Sequence, residues 1–299
     1  MRWPWRRAQG RARAVPTMFG PARVYETAGP DGEAIRVLEV GGAFQSAAYA
    51  DGRPEAPFAY LRAFDAAFAA GVPARRALML GGGAFAGPRH LLALHPGLAL
   101  DVAEVDPAVV ALARERFFLA DAERSHPGLR VIVADARDCL RAAAAVDPGP
   151  AAMPVAPADS TGAADPGSAA PADPGPVAMP ADGAGDTAPA VPAAGPYDVI
   201  MADVFCGADP DEGLLAPDAL ALVRAALAPG GVYLANVVVP DSPEGAAALL
   251  AAGRALDAAF AHVAVIPCAD EGFAAQDNYL LAAADVAVDL PGALPLPPA

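Results

Sequence analysis

The chain contains few of the residues that build disulfide frameworks and metal sites. Of its 299 residues, three are cysteines and four are histidines. Because the cysteines are far apart, odd in number and never spaced as Cys-x-x-Cys, they predict neither a disulfide framework nor a thiolate metal site. The histidines share no ligand spacing either, so we expect no metal. The residues concerned are Cys139, Cys206, Cys268, His90, His95, His126 and His262.

Long apolar runs and basic residues are also scarce. Although 55% of the residues are hydrophobic, no uncharged apolar stretch reaches the ~18 residues of a membrane helix. The basic segment 1–16 is not followed by the apolar core of a signal peptide, so we expect a cytoplasmic protein. With 20 basic against 35 acidic residues, the formal net charge is −15. We therefore expect the protein to bind neither nucleic acid nor an anionic membrane.

One internal segment has almost nothing from which a core could be built. Residues 146–196 contain no aromatic residue, no leucine, no isoleucine and no basic residue, but twelve prolines and six aspartates. Such a segment cannot bury enough apolar surface to offset an ordering cost of roughly 1–2 kcal/mol per residue. We therefore expect residues 146–196 to be a disordered insertion.

Outside this insertion, short apolar runs alternate regularly with amphipathic segments. Near-continuous apolar runs are typical of strands that helices cover on both faces. The alternation predicts an α/β fold with a doubly wound, mostly parallel sheet. We expect seven strands, at residues 76–82, 98–106, 129–135, 197–204, 230–239, 262–269 and 278–285. We expect helices between them, at residues 86–94, 107–118, 136–145, 217–228 and 243–260.

The first part of the chain has a different pattern. Residues 22–56 contain three short β-rich pieces separated by glycine-containing turns, which predict a small antiparallel hairpin unit. The following stretch "PFAYLRAFDAAFAAG" predicts a helix that joins this unit to the main domain. The expected organisation is a disordered basic head (1–21), the β unit (22–56), the main domain (57–145 and 197–286) and a flexible tail (287–299).

Glycine and acidic residues stand at the ends of the first four main-domain strands, where ligands of open parallel sheets bind. A turn from Gly81 to Gly83 follows the first strand, and Glu104, Asp135 and Asp203 end the next three. An acidic crevice suits ribose hydroxyls and a positive centre, such as a sulfonium, better than a pyrophosphate. The glycines either form only a tight turn or let a ligand lie against the backbone.

Each acidic residue has its own alternatives. Glu104 is placed to accept two hydrogen bonds from a ribose diol, which we favour over the alternative of a solvated strand end. Asp106 precedes Pro107, and a helix N-cap followed by proline accounts for it. Asp135 either caps the next helix or accepts the amino group of an adenine. Asp203 either shapes a turn or faces the crevice, where it could orient or deprotonate an amine nucleophile.

Six motifs follow one another along the chain. They are "LEVGGAFQS", "LMLGGGAFAGPRHL", "DVAEVDPAVVALARERF", "VIVADARDCL", "YDVIMADVF" and "LAPGGVYLANVV". In this order they resemble the motifs of spermidine synthase-like proteins, and the resemblance covers about residues 24–285, apart from the insertion. The resemblance implies the class I methyltransferase fold, a seven-stranded sheet that binds an S-adenosylmethionine-type nucleotide. It also suggests, by analogy, that the chain pairs into a homodimer.

The resemblance assigns roles to the residues of the crevice. Gln45 would touch the donor, Glu104 would hold the ribose, and Asp203 would be the catalytic aspartate with Tyr60 as an orienting group. The glycine turn and the end of the third strand would contact the nucleoside and its adenine. The residues concerned are Gly81, Gly82, Gly83, Asp135 and Ala136.

The sequence departs from the family where the acceptor would bind. Family members have an aspartate directly after the three glycines, where this chain has Ala84. The fourth strand ends "DVFCGADP" instead of Asp-Ser-Ser-Asp-Pro, so Cys206 replaces the second acid, unless Asp209-Pro210 substitutes for it. A family Tyr-His-Glu motif continues here with Leu61 and Arg62. Acids that would hold a polycationic amine are missing, and an arginine that would repel it is present.

Three functions are compatible with these residues. The family default is aminopropyl transfer from decarboxylated S-adenosylmethionine to a small-molecule amine, with release of methylthioadenosine. Methyl transfer from S-adenosylmethionine is favoured by the missing acids, because the glycine-turn amides could then receive the donor's carboxylate. A non-catalytic nucleoside-binding module is the third, and Asp203 in the crevice argues against it.

Overall fold

The computed structural model describes residues 14–146, 195–206, 209–210, 212–270 and 276–296. All of them belong to one compact unit of the chain. Most of the insertion expected at 146–196 lies outside the described residues, namely 147–194. Residues 1–13 of the head expected at 1–21 also lie outside them.

The described residues contain the seven main-domain strands in the predicted order, together with elements that the sequence did not reveal, among them β9, β10 and α5. The strands are β1 Val15–Thr17, β2 Gly20–Ala28, β3 Ala34–Val40, β4 Ala43–Tyr49, β5 Arg76–Leu80, β6 Ala99–Glu104, β7 Leu129–Val133, β8 Tyr197–Ala202, β9 Phe205–Cys206, β10 Asp209–Pro210, β11 Leu227–Pro240, β12 His262–Cys268, β13 Gln276–Ala284 and β14 Leu294–Pro295. The helices are α1 Ala59–Ala63, α2 Ala66–Ala69, α3 Ala86–Leu94, α4 Pro107–Arg116, α5 Leu119–Ser125, α6 Ala136–Ala144, α7 Pro217–Ala226 and α8 Pro243–Asp257, with a 3-10 turn at Glu212–Leu215.

The main sheet is a mixed, mostly parallel sheet in the order β14-β12-β13-β11-β8-β5-β6-β7. Strands β7, β6, β5, β8 and β11 are parallel neighbours, whereas β13 runs antiparallel to β11 and β12. Every residue of β8 is buried, because apolar clusters cover both faces of the sheet. This double cover explains why the central strands read as continuous apolar runs.

The sheet has eight strands where we predicted seven. The extra strand, β14, lies in the tail that we expected to be flexible. Leu294 and Pro295 pair with Val265 and Ala264 at the outer edge of β12. Proline is tolerated in an edge strand because one side of that strand needs no donor. A two-residue edge strand in a proline-rich tail carries no periodic signal, so its sequence did not reveal it.

The N-terminal β unit is a four-stranded antiparallel sheet in the order β1-β2-β3-β4. Strand β1 and the start of β2 lie within residues 1–21, which we expected to be disordered, so the expectation is wrong for this part of the head. Three residues are too short for a periodic pattern. Gly20, at φ 108°, allows the tight turn that folds β1 back onto β2.

The helix expected at residues 57–71 is instead two short helices, α1 and α2, separated by Phe64 and Asp65. The backbone N–H of Asp65 bonds to the carbonyl of Arg62, three residues back, and this tighter turn separates the two helices. Among the described residues, no helix combines the length and apolarity needed to cross a membrane.

The fold brings the carboxyl ends of β5, β6, β7 and β8 to one edge of the sheet. Backbone hydrogen bonds extend the pairing beyond the strands themselves. The N–H of Gly81 donates to Ala103 O at 2.9 Å, and the N–H of Asp203 donates to Leu80 O at 2.8 Å. The glycine turn and the acidic strand ends are therefore held side by side.

Candidate functional site

The glycine turn is in close contact with the end of β8. Gly81 has φ 94°, and a Cβ at this position would lie 2.1 Å from the carbonyl oxygen of Asp203. Gly83 has φ 50°. The left-handed conformation favours glycine at both positions, and the close contact requires it at Gly81. The turn alternative therefore explains Gly81 without a ligand. The same bare backbone also forms part of a cavity wall.

Glu104 closes the glycine turn from the neighbouring strand. Its Oε2 accepts hydrogen bonds from the N–H groups of Gly82 and Gly83, both at 3.0 Å, and its Oε1 accepts from the N–H of Asp106 at 3.1 Å. Burial raises the pKa of Glu104, although these hydrogen bonds oppose the rise. A carboxylate offers about four acceptor positions, so one remains while the turn keeps this arrangement. Two hydrogen bonds to a ribose diol would require one backbone amide to be released.

Asp106 has the structural role that its sequence context predicts. Its Oδ1 accepts from the N–H of Ala108 at 2.9 Å and caps α4, with Pro107 in the first turn. Its Oδ2 accepts from the N–H of Met18 at 2.6 Å. The second bond, which the sequence did not reveal, ties the turn between β1 and β2 to the main domain.

Asp135 caps α6, which was one of its two alternatives. Its Oδ1 accepts from the N–H groups of Arg137 at 2.8 Å and Asp138 at 3.3 Å. Asp135 and the next residue, Ala136, also line the cavity at the strand ends. Capping does not exclude contact with a ligand, because Asp135 lies both at the start of α6 and on the cavity wall.

The predicted nucleoside-binding residues surround a single cavity. Apolar residues complete the wall, including Leu38, Val40, Met79 and Val105, together with Phe19 from the β1–β2 turn. The predicted residues that line this cavity are Gln45, Gly81, Gly82, Gly83, Glu104, Asp135, Ala136 and Asp203.

Asp203 lies on this cavity with two hydrogen-bond donors behind it. Asn236 Nδ2 donates to Asp203 Oδ1 at 2.8 Å, and the hydroxyl of Tyr60 also bonds to the carboxylate. Burial raises the pKa of Asp203 to about 6, and the two hydrogen bonds only partly oppose this rise. The carboxylate is therefore ionised at neutral pH, yet it binds a proton more readily than an ordinary aspartate.

Tyr60 does not line the cavity; it supports Asp203 from α1. Burial raises the pKa of Tyr60 well above its usual value, and the charges of Asp203 and Asp270 raise it further. The hydroxyl therefore stays protonated and remains a donor. The sequence did not reveal Asn236, although a lone amide within the apolar run "YLANVVV" was an available signal.

Asp270 is a second carboxylate near Tyr60 that sequence reasoning missed. Both of its oxygens accept from the N–H of Ala59 at the start of α1, at 3.1 and 3.0 Å. Burial raises the pKa of Asp270. Since its partner is more than 200 residues away in the chain, no local pattern could point to it.

Removing the Asp270 carboxylate should loosen α1. We expect Asp270→Ala to lower the free energy of unfolding by about 1 kcal/mol, because the Ala59 N–H loses its acceptor. Asp270→Asn keeps an acceptor oxygen and should recover most of this loss. Urea unfolding of the three proteins measures the difference. Equal stability of Asp270→Ala and the unchanged chain would contradict an anchoring role.

The residues that depart from the family pattern occupy definite places. Ala84 is fully buried and Leu61 lines the cavity, so neither position offers a charge. Arg62 Nη1 donates to the carbonyl of Ala56 at 2.8 Å. Residues Cys206 and Asp209 pair through their backbones as β9 and β10, but their side chains lie outside what the structure describes. Within the described ranges, no three His, Cys, Asp or Glu side chains are grouped to hold a metal.

Comparison with known proteins identifies solved structures that have the same fold. No protein-family model and no curated sequence matches the chain. Three spermidine synthase structures match its fold. A probable spermidine synthase from Corynebacterium glutamicum aligns with TM-score 0.61 and 22% identity, covering 93% of this chain and 81% of its own.

The other two structures are similar at lower identity. Spermidine synthase from Thermotoga maritima aligns with TM-score 0.58 and 15% identity, over 93% of this chain and 74% of its own. A spermidine synthase in complex with the transition state analogue AdoDATO aligns with TM-score 0.59 and 15% identity, over 93% and 75%. The chain therefore has the fold of the spermidine synthases, as its ordered motifs predicted.

Proposed function

We propose that the chain is a spermidine synthase-like transferase that binds an adenosyl sulfonium donor and transfers its aminopropyl group to an amine. The observation that carries this proposal is Asp203, a partly buried carboxylate with a raised pKa on the wall of the cavity that also contains the glycine turn and Glu104. The same fold in a spermidine synthase bound to a transition state analogue supports this choice of donor.

Asp203 would act as the general base. The amine nitrogen attacks the carbon next to the sulfonium, the new N–C bond forms as the C–S bond breaks, and methylthioadenosine leaves as a neutral thioether. The proton of the amine passes to the Asp203 carboxylate. Tyr60 and Asn236 hold that carboxylate in place through their hydrogen bonds, so one orientation is maintained for proton transfer.

Methyl transfer from S-adenosylmethionine is the second candidate. The buried Ala84 favours it, because the family's aspartate at this position is absent and cannot hold a polyamine. Glu104 weighs against it: the amides of Gly82 and Gly83, which we expected to receive the donor's carboxylate, already bond to Glu104. A donor without a carboxylate does not need these two amides as its partners, so we prefer aminopropyl transfer. A purely binding role would leave the buried charge of Asp203 without a use.

Calorimetric titration with S-adenosylmethionine, its decarboxylated form and methylthioadenosine tests the donor. We expect the decarboxylated donor and methylthioadenosine to bind more tightly than S-adenosylmethionine, and incubation with putrescine or another amine to release methylthioadenosine. Tighter binding of S-adenosylmethionine would assign the chain to methyl transfer.

Glu104→Ala should weaken binding of all three ligands at least tenfold, because it removes the acceptor that orders the glycine turn and would hold the ribose. Glu123→Ala is the matched control, since Glu123 pairs with Arg114 on the surface, away from the cavity. Unchanged affinity in Glu104→Ala would contradict the assignment of this cavity to the nucleoside.

A further inference from the structure

The turn between β1 and β2 places an aromatic ring on the wall of the nucleoside cavity. Phe19 lines this cavity, yet 40% of its surface remains exposed. A single exposed aromatic residue is ordinary at a protein surface. Phe19 differs because it also lines a concave site. No motif pointed to it, since residues 1–21 were expected to be disordered.

Three contacts fix the position of this turn. The N–H of Met18 donates to Asp106 Oδ2 at 2.6 Å, and the hydroxyl of Thr17 donates to the carbonyl of Gly20. The backbone of Phe19 packs directly on Gly41, where a Cβ would lie 2.7 Å from the Phe19 carbonyl oxygen. The backbone that carries the ring is therefore held by the main domain on one side and by the β3–β4 turn on the other.

The contacts with Asp106 and Gly41 also show which lining residues of the cavity lie near Phe19. Asp106 follows Val105 and Glu104, and both of these line the cavity. Gly41 follows Val40, which is also part of the wall. Phe19 thus lies near Val40 and Val105, and Val105 directly follows Glu104, the residue placed to hold a ribose. A nucleoside whose ribose lies at Glu104 would have its base near this apolar wall.

We propose that Phe19 is a binding residue that covers the purine ring of the adenosyl ligand, and that the β1–β2 turn exists to carry it. This inference rests on the proposed function only in requiring a nucleoside ligand. An aromatic ring presents a flat, polarisable surface, and contact with a nucleobase typically changes affinity by about tenfold or more. The site would thereby gain affinity for the base without a hydrogen bond, which suits a ring exposed at the edge of a cavity.

Calorimetric titration of Phe19 variants with methylthioadenosine and methylthioribose tests this inference. Phe19→Ala should weaken binding of methylthioadenosine about tenfold, whereas Phe19→Tyr, which keeps the ring, should bind it as the unchanged chain does. Methylthioribose lacks the base, so its affinity should be the same in all three proteins. Met18→Ala is the control for truncating an exposed side chain of the same turn, and it should leave both affinities unchanged.

The outcomes separate this inference from the proposed function. Unchanged binding of methylthioadenosine to Phe19→Ala, with the parent protein binding it, would overturn the role of Phe19 alone. An equal loss for methylthioadenosine and methylthioribose would also overturn it, because the effect would then come from a disturbed turn. Failure of the parent protein to bind methylthioadenosine would overturn both proposals.

Discussion

Replacing Asp203 with asparagine should lower the rate of group transfer by a factor of about 10² to 10⁴, because the reaction loses its general base. Asparagine has nearly the same shape and can still accept the hydrogen bond from Asn236 through its Oδ1. Binding of methylthioadenosine should therefore change little. Single-turnover rates and calorimetric titration of the same preparation separate the two effects.

The pH dependence gives a second test of the same residue. Asp203 acts as a base only when ionised, and burial raises its pKa to about 6. The rate should therefore rise with pH through about 6 and then level, and Asp203→Asn should lack this step. An ordinary aspartate would place the step two units lower. A rate that is flat between pH 5 and 7 in the unchanged chain would contradict the role of Asp203.

Asp203→Asn, which should lower the transfer rate, should raise the stability of the fold. Because the pKa of Asp203 is higher in the folded chain than in the unfolded chain, the folded state binds more protons between pH 4 and 6. Stability therefore falls as pH rises through that interval. Asp203→Asn avoids burying a charge and should raise the free energy of unfolding at pH 7 by on the order of 1–3 kcal/mol.

A surface aspartate provides the control for both readouts. Asp218 is exposed and pairs with Arg137, so Asp218→Asn should leave the transfer rate unchanged and alter stability by less than about 1 kcal/mol. If Asp203→Asn retained more than a tenth of the rate, the carboxylate would not be the general base. If it behaved like Asp218→Asn in unfolding, the carboxylate would not be a buried charge.

Local sequence patterns were sufficient for most of the main domain. Neighbouring residues encode the apolar runs, the amphipathic segments and the Asp106–Pro107 start of α4. The order of β5, β6, β7, β8, β11, β12 and β13 could therefore be predicted, but the two-residue strands β9 and β10 could not. The glycine turn and the acidic strand ends could be placed together because parallel strands end at one edge. The resemblance to spermidine synthases then gave the fold that the solved structures share.

The parts that could not be predicted depend on distant contacts. Strand β14 exists because β12 offers it an edge, and β1 because a tight turn returns it to β2. Asn236 and Asp270 meet Asp203 and Ala59 across gaps of 33 and 211 residues. Phe19 reaches the cavity through the bond between Met18 and Asp106, 88 residues apart. Strands of two or three residues and single polar residues form no periodic pattern, so their distant partners cannot be predicted from the sequence.

Replacing Gly81 with alanine should cost at least about 3 kcal/mol of the free energy of unfolding, more than an ordinary core substitution. The added Cβ would lie 2.1 Å from the Asp203 carbonyl oxygen and 2.8 Å from its carbonyl carbon. Both are backbone atoms, so no side-chain rotation can relieve the overlap. The ends of β5 and β8 would have to separate, and the hydrogen bond from the Asp203 N–H to Leu80 O would lengthen or break.

Gly71→Ala provides a matched control, because Gly71 has nearly the same φ, +90° against +94°, but no neighbouring atom within 4 Å of the added Cβ. It should cost only the backbone strain, roughly 1–2 kcal/mol. The difference between the two variants in urea unfolding is therefore the cost of separating the strand ends. Gly81→Ala should also lose transfer activity at temperatures where it remains folded, since Asp203 moves with its backbone, whereas Gly71→Ala should keep it. Equal destabilisation by the two substitutions would show that the turn does not hold Asp203 in place, and the catalytic geometry proposed for this site would lose its structural basis.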